Sequence, residues 1–196
     1  MILELVGGYL LGGLPTADLL ARGVGVDLRS NGSGNPGTNN AMRLGGRRLA
    51  AQILVTELVK GAGIVAFGWW LSGDPGMAVA GIGAVLGNVL NPYRRFRGGQ
   101  GLAIATGVLL VASPVAAAAG LALVGSIAVV IRRSAPAALV ALTAVVAISI
   151  WLPAHPWGIS DPLWSAVLAI GVTVVITPKQ LLKIRGRGLP PPRESA

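Results

Sequence analysis

Apolar blocks alternate along this chain with short polar segments, and the blocks have helical, membrane-scale lengths. Candidate spans fall at about 2–21, 49–71, 77–92, 102–112, 115–131, 135–152 and 163–177. The first three and the sixth reach, or nearly reach, the run of about 20 helical residues that a hydrocarbon core requires. The stretch 102–131 is too long for one straight span, and Ser113-Pro114 near its middle predicts a break. Charge sets the count. Every Lys and Arg except Lys60 lies in the segments 22–48, 93–101, 132–134 and 178–196. The connections 72–76 and 153–162 carry neither residue. Keeping all basic segments on one side, as the positive-inside rule asks, needs two crossings between Gly101 and Arg132. The expected fold is therefore an all-α integral membrane protein of about seven spans, with the N-terminus outside and the polar loops cytoplasmic. Five spans is the alternative count, because the fourth stretch, 102–112, covers only about 16 Å at 1.5 Å per residue and fits a short or re-entrant helix.

Composition agrees with lipid as the solvent. Hydrophobic residues make up 53% of the 196 and charged residues 12%, with a mean hydropathy of +0.71. Soluble domains carry roughly 25% charged residues. The absence of cysteine excludes disulfides and thiolate metal sites. The net charge of +9 sits in loops between apolar spans, which favours a membrane face over nucleic acid. The start, Met1-Ile2-Leu3-Glu4, lacks the basic n-region of a signal peptide. We expect one membrane domain over 1–186 and a disordered tail over 187–196, where Pro190-Pro191-Pro192 lies. Trp69, Trp70, Trp151, Trp157 and Trp164 fall near the outer interface, as an aromatic belt does.

Chemistry concentrates in two loops. Residues 33–46, Ser-Gly-Asn-Pro-Gly-Thr-Asn-Asn-Ala-Met-Arg-Leu-Gly-Gly, form a polar, glycine-rich segment between apolar spans. Pro15 kinks or unwinds the end of the first span, and the run from Asn31 to Gly37 cannot be regular helix. Ser33, Asn35, Asn39 and Asn40 offer neutral donors, Arg43 a bidentate fork, and the glycines let backbone N–H groups approach an anion. An ordinary hairpin of turn residues is the competing reading. A second loop, Arg94-Arg95-Phe96-Arg97-Gly98-Gly99-Gln100-Gly101, repeats the idea, with Arg97 and the glycines as a backbone nest opening a helix. Arg94 and Arg95 read as surface charges. Glu57 and Lys60 share one helix face in the second span, either as a structural ion pair or as a pair beside the anion site. Asn88 and Asn91 close the third span, lining a cavity or capping the helix. His155, the only histidine, falls on the outer side, and neither glycine run is a P-loop.

These residues resemble an ordered set of motifs in the PlsY family, the integral membrane acyl-phosphate:glycerol-3-phosphate acyltransferases of bacteria. The matching elements are Gly12-Gly13-Leu14-Pro15, Asp27-Leu28-Arg29, the Ser33–Arg43 loop, Glu57-x-x-Lys60-Gly61 and the Gly87–Gly101 segment with Phe96-Arg97-Gly98-Gly99. The resemblance implies seven spans in a bacterial inner membrane and a reaction that converts acyl phosphate and glycerol 3-phosphate to lysophosphatidic acid and inorganic phosphate. It implies no metal, no acyl-CoA and no other cofactor. Carried over residue by residue, it makes Ser33, Asn35, Arg43 and Lys60 catalytic. Gly34, Gly37, Asn40, Arg97, Gly98, Gly99, Gln100 and Gly101 become phosphate-binding, with Asp27, Glu57 and Asn88 in support. The chain departs from the family pattern where it has Glu57 for Asp, Asn88 for His and Gln100 for Lys. It departs again at Thr38-Asn39-Asn40, at Leu102-Ala103-Ile104, and at Thr177-Pro178-Lys179-Gln180, where the family carries His-Arg-x-Asn; Lys179 and Lys183 are the candidates to replace the lysine missing at position 100. Other readings kept open are a weakened homologue that binds a lipid phosphate, an enzyme for another phosphorylated alcohol, and a small anion transporter.

Overall fold

A computed structural model describes residues 1–131, 134–151 and 158–185. The sequence-predicted tail over 187–196 and the positions of His155 and Trp157 lie outside the described residues. Among the described residues the chain is helical, with no strand. The helices are α1 (Ile2–Gly13), α2 (Thr16–Gly23), α3 (Thr38–Val89), α4 (Leu102–Ala112), α5 (Pro114–Ile131), α6 (Ser134–Trp151) and α7 (Pro162–Arg185), with a single 3₁₀ turn at Pro92–Arg94.

The breaks expected at Pro15 and in the 72–76 connection are present, and the polar segment 33–46 is where the helix boundaries depart from the sequence expectation. The first block is not one rod: Pro15 lacks an N–H to continue the ladder, so α1 ends at Gly13 and α2 restarts at Thr16. The polar segment 33–46 is loop only as far as Gly37 and helical from Thr38. Continuous helix from Thr38 is in turn broken at Gly46 (φ 78°) and at Ser72-Gly73 (φ 62° at Gly73), which divides α3 into three rods at 38–45, 47–71 and 74–89. Both glycines adopt the left-handed backbone that other residues avoid. The expected break at Ser113-Pro114 is present, with Pro114 opening α5 at a position where a missing N–H costs nothing.

The outward faces are apolar. Ile2 is 81% exposed, Trp70 72% and Leu163 64%, the reverse of a surface built for water. The stretches Thr38–Arg94 and Pro162–Ile184 are long and apolar enough to cross a bilayer. The interior centres on Val65, Val85, Ile104, Val108, Leu168 and Ile176 from α3, α4 and α7. In lipid, helix association gains little from burying apolar area and depends on close backbone approach. Two small-x₃-small pairs provide it. Gly8 and Gly12 of α1 pack on the carbonyls of Ala80 and Ala84, while Gly83 and Gly87 pack on those of Leu5 and Tyr9. Gly61 and Gly107 bring the middle rod of α3 against α4 in the same manner.

Polar contacts then sort the two ends of the bundle. At one end Glu4 meets Ser72, and Asp74 accepts from Ser160 and Asp161 at 2.6–2.8 Å. At the other end the loops bearing Arg29, Arg94 and Arg97 meet Lys179 and Lys183 of α7. The basic segments that can be followed converge on one end. At Gly87 an added Cβ meets the Tyr9 carbonyl, whereas at Gly63 it meets open space. Gly87→Ala is expected to cost about 1–3 kcal/mol by overpacking, and Gly63→Ala to stabilise by up to about 1 kcal/mol through helix propensity. Thermal unfolding in detergent reads both, and equal midpoints for the two variants would remove the close-approach argument.

Candidate active site

The first loop is held from inside. Asp27 accepts from the backbone N–H of Arg29 (2.8 Å) and Ser30 (3.2 Å) and from the Ser30 hydroxyl (2.8 Å), an Asx turn that starts the reversal. These hydrogen bonds, the Ser30 hydroxyl foremost, hold its carboxyl below the usual aspartate range. Gly32 and Gly34 supply positive φ. Asn40, 2% exposed in the first turn of α3, reaches back across the loop. Its amide donates to the carbonyls of Leu28 (2.9 Å) and Asn31 (3.1 Å) and its oxygen accepts from the Ser33 N–H (2.9 Å). Both amide hydrogens are thereby committed, which makes Asn40 a loop clamp rather than a donor to a ligand.

The second loop crosses the end of α3. Gly98 and Gly99 donate N–H to the carbonyls of Val89 (3.2 Å) and Asn88 (2.9 Å), and a Cβ at Gly98 would collide with those carbonyls. Gly101, left-handed at φ 77°, opens α4. Asn91 pins this segment to α1 by donating to the Gly13 carbonyl at 2.6 Å and caps the 3₁₀ turn through the Tyr93 N–H.

Two carboxylates join the loops. Buried Asp18 of α2 pairs with Arg29 (3.1 Å) and Arg94 (3.2 Å), and Arg29 also donates to the Arg97 carbonyl. Glu57 accepts from Thr16 (2.6 Å) and Lys60 (2.8 Å) on one oxygen and from Asn88 (2.8 Å) on the other. The Lys60 ammonium also donates to the Leu14 carbonyl (3.1 Å) and Thr16 (3.2 Å), so its hydrogens point into this knot.

Between the loops lies a cavity of about 880 Å³, within the usual size range of small-ligand sites. Ser33, Asn35, Gly37, Asn40 and Arg43 line one wall, and Gly99, Gln100 and Gly101 another, with Glu57 and Asn88 between them. Gly34, Lys60, Arg97, Gly98 and Asp27 are not in the lining. They stand behind it, as loop backbone or as the ion-pair knot. The helices α3 and α4 both start at this cavity, behind Gly37 and Gly101, and among the described residues no side chain caps either one. Uncapped N–H groups and the positive ends of two helix dipoles thus face the same space as Arg43, an arrangement suited to anions. Met42, Ile53, Leu102 and Ile104 give the cavity an apolar side.

Sequence reading passed over Thr16 and Asp18, and offered Lys183 only alongside Lys179 as a replacement for the lysine missing at position 100. Asp18 carried a signal, since an ionisable residue in an otherwise apolar helix needs an explanation as much as Glu57 does. The structure separates the two lysines: Lys183 donates to Gln100 at 3.2 Å and Lys179 to the Gly98 carbonyl at 2.7 Å.

Asn40→Asp is expected to be worse than Asn40→Ala, because a carboxylate oxygen would face the Leu28 and Asn31 carbonyls. A loss of about 1–3 kcal/mol for the alanine variant follows from the unpaired groups, and thermal midpoints in detergent rank the two. The Asx turn is pH-dependent with a definite sign. The folded-state pKa of Asp27 is lowered, so its contribution is complete above the ordinary aspartate value and lost as pH falls through the folded one. Hydrogen-exchange protection over residues 27–34 should fall on acidification through that range and be low at every pH in Asp27→Ala. Protection flat with pH in the wild type contradicts this.

A family model described as glycerol-3-phosphate acyltransferase matches residues 2–184. A glycerol-3-phosphate acyltransferase of Nitrobacter winogradskyi is 39% identical over 179 residues, 91% of this chain and 87% of that protein. One of Geotalea daltonii is 42% identical over 123 residues, 62% of this chain and 63% of the relative's length. The crystal structure of PlsY, an integral membrane glycerol 3-phosphate acyltransferase in its glycerol 3-phosphate form, superposes with a TM-score of 0.82 at 24% identity. That superposition covers 95% of this chain and 90% of the other and speaks to the fold. Both the family model and the Nitrobacter relative run through the two loops, the Glu57 knot and α7, and the chain belongs to the glycerol-3-phosphate acyltransferase family.

Proposed function

We propose that this protein transfers a fatty acyl group from acyl phosphate to the 1-hydroxyl of glycerol 3-phosphate, giving lysophosphatidic acid and inorganic phosphate. The observation that carries the reading is the single cavity onto which two uncapped helix N-termini, two glycine loops and Arg43 converge beside an apolar wall. Both substrates bring a phosphate, and one brings an acyl chain that needs apolar surroundings. Their relatives' shared name supplies the acceptor, and the family resemblance supplies the acyl phosphate.

Acyl phosphate is a mixed anhydride and needs no further activation. The glycerol hydroxyl oxygen bonds to the acyl carbonyl carbon, the bond from that carbon to the phosphate oxygen breaks, and the electron pair leaves with phosphate. The hydroxyl proton passes to a phosphate oxygen. The protein's part is to hold the hydroxyl near the carbonyl and to stabilise the charge that develops on carbonyl and phosphate oxygens. Arg43, Ser33, Asn35 and the N–H groups at the starts of α3 and α4 take that task. Glu57, Lys60 and Asn88 position the walls, and Asp27 and Asn40 shape the first loop. Gly37, Gly99, Gln100 and Gly101 keep backbone close to phosphate, while Gly34, Arg97 and Gly98 shape the two loops from behind the wall.

The membrane arrangement belongs to the same reading: one domain over 1–186 of about seven spans in a bacterial inner membrane, the basic end of the bundle cytoplasmic and the N-terminus outside. Convergence of the basic loops at one end supports it, as do the apolar outer faces. The weakened-homologue reading is not favoured. Two of the residues that depart from the family pattern, Glu57 and Asn88, bond to each other at 2.8 Å, and relatives of similar sequence carry the enzyme's name.

Purified protein in lipidic phase, given palmitoyl phosphate and glycerol 3-phosphate, should release phosphate and lysophosphatidic acid in equal amounts. Arg43→Ala should lower kcat/KM by about 100-fold or more, the order seen when a charge-stabilising donor is removed. Phosphate release without acylated product would sink the reaction as written. A variant as active as wild type would remove Arg43 from the site.

A further inference from the structure

We propose that Asp18 is a positioning residue for acyl transfer: by tying the two glycine loops together at the rim it sets the distance across the cavity, and so governs kcat rather than the binding of either substrate. The inference rests on the acyl-transfer reading above and adds to it a residue that stands outside the cavity wall.

The break at Pro15 puts Asp18 where it can do this. Helix α2 restarts at Thr16 and carries both Thr16 and Asp18 in its first turn. The Thr16 hydroxyl donates to Glu57, which lines the cavity. Asp18, 4% exposed and near the positive end of the α2 dipole, meets the arginines of the rim. One short helix therefore references the rim to the inner wall.

The contacts run to both loops. Nε of Arg29 donates to both Asp18 oxygens at 3.2 Å, and Nη2 donates to Oδ2 at 3.1 Å. That fork fixes the guanidinium plane and leaves Nη1 to donate to the Arg97 carbonyl in the second loop. Arg94, in the 3₁₀ turn that leads into the same loop, brings Nε within 3.2 Å of Oδ2. This buried Nε has no aligned hydrogen-bond acceptor among the described residues, so the contact is one of charge. A single buried carboxylate thus takes a cation from each loop.

Each loop keeps its own shape without Asp18. Asp27 and Asn40 hold the first, and the carbonyls of Asn88 and Val89 hold the second. What Asp18 supplies is the relation between them. Ser33, Asn35 and Arg43 line one side of the cavity and Gly99, Gln100 and Gly101 another. A substrate held by one wall binds as well when the walls part. Transfer between two separately bound molecules does not survive it, because the reacting atoms must sit about 3–3.5 Å apart. The two arginines are about a quarter exposed, so on loss of the carboxylate they turn to water and the fold remains.

The test is steady-state kinetics on the full-length protein in lipidic phase, with kcat and the KM for glycerol 3-phosphate and for palmitoyl phosphate measured separately. Asp18→Asn keeps the side-chain size and removes the charge. It is expected to lower kcat by about 10- to 100-fold, the effect of misplacing reacting groups by an ångström or less, with both KM values near wild type. Arg94→Gln should show the same split with a smaller loss. In the double variant Arg94→Gln should add nothing to Asp18→Asn, since both remove one tie, whereas independent packing roles would add. Arg94→Gln leaves the carboxylate paired with Arg29, and so decides the matter if Asp18→Asn does not fold. With an active wild type, unchanged kcat in the variants overturns this inference alone, as does a raised KM at unchanged kcat or a pair of additive losses. A folded wild type silent towards both substrates overturns the acyl-transfer reading and this inference together.

Discussion

The Glu57–Lys60 pair is the interaction on which the site depends. Its two residues lie three apart on α3 and are about nine-tenths buried. Their hydrogen bonds reach the end of α1 at Leu14, the start of α2 at Thr16 and the last rod of α3 at Asn88. Asn88 in turn accepts the Gly99 N–H through its carbonyl. One ion pair thus sets the spacing between the broken first helix, the pocket floor and the second glycine loop. Burying such a pair carries a desolvation cost, which attraction offsets only when the remaining hydrogen bonds are satisfied. Here they are, and removing either partner leaves an uncompensated charge at a cost of about 3–5 kcal/mol. The pair stabilises little that a well-packed apolar pair could not. What it provides is position.

Asp18 does the same work at the rim. Arg29 from the first loop and Arg94 from the second both reach it, so the loops close on each other through a shared carboxylate. The arginines that meet this carboxylate are therefore tied to structure, whereas Arg43 lines the cavity. Charge counted along the sequence overstates how much of it faces substrate. Arg97 and Lys60 show this: both were read as site cations, and both stand behind the wall.

The departures from the family motif also look different in three dimensions. Glu57 is one methylene longer than the aspartate it replaces, and Asn88 is shorter than histidine, yet the two meet within hydrogen-bond distance. Gln100 lacks a charge but lies against Lys183. Substitutions that read singly as losses become pairs once their partners are known.

The apolar blocks, the basic segments and the two glycine loops are all legible in one dimension, because helix length, bilayer thickness and backbone sterics act locally. From them came the helical class, the breaks at Pro15 and Ser113-Pro114, and part of the cavity lining, from Ser33, Asn35 and Arg43 to Gly99 and Gln100. The small-x₃-small pairs at Gly8/Gly12 and Gly83/Gly87 emerged only from the structure, since periodicity alone does not say which two helices meet there. Folding decided three things that local rules leave open: where the polar segment turns helical at Thr38, which carboxylate takes which cation, and that α7 delivers Lys183 to Gln100, 83 residues away in the chain. Such choices are settled by long-range approach, since a buried hydrogen bond is stable only where a partner from elsewhere in the chain completes it.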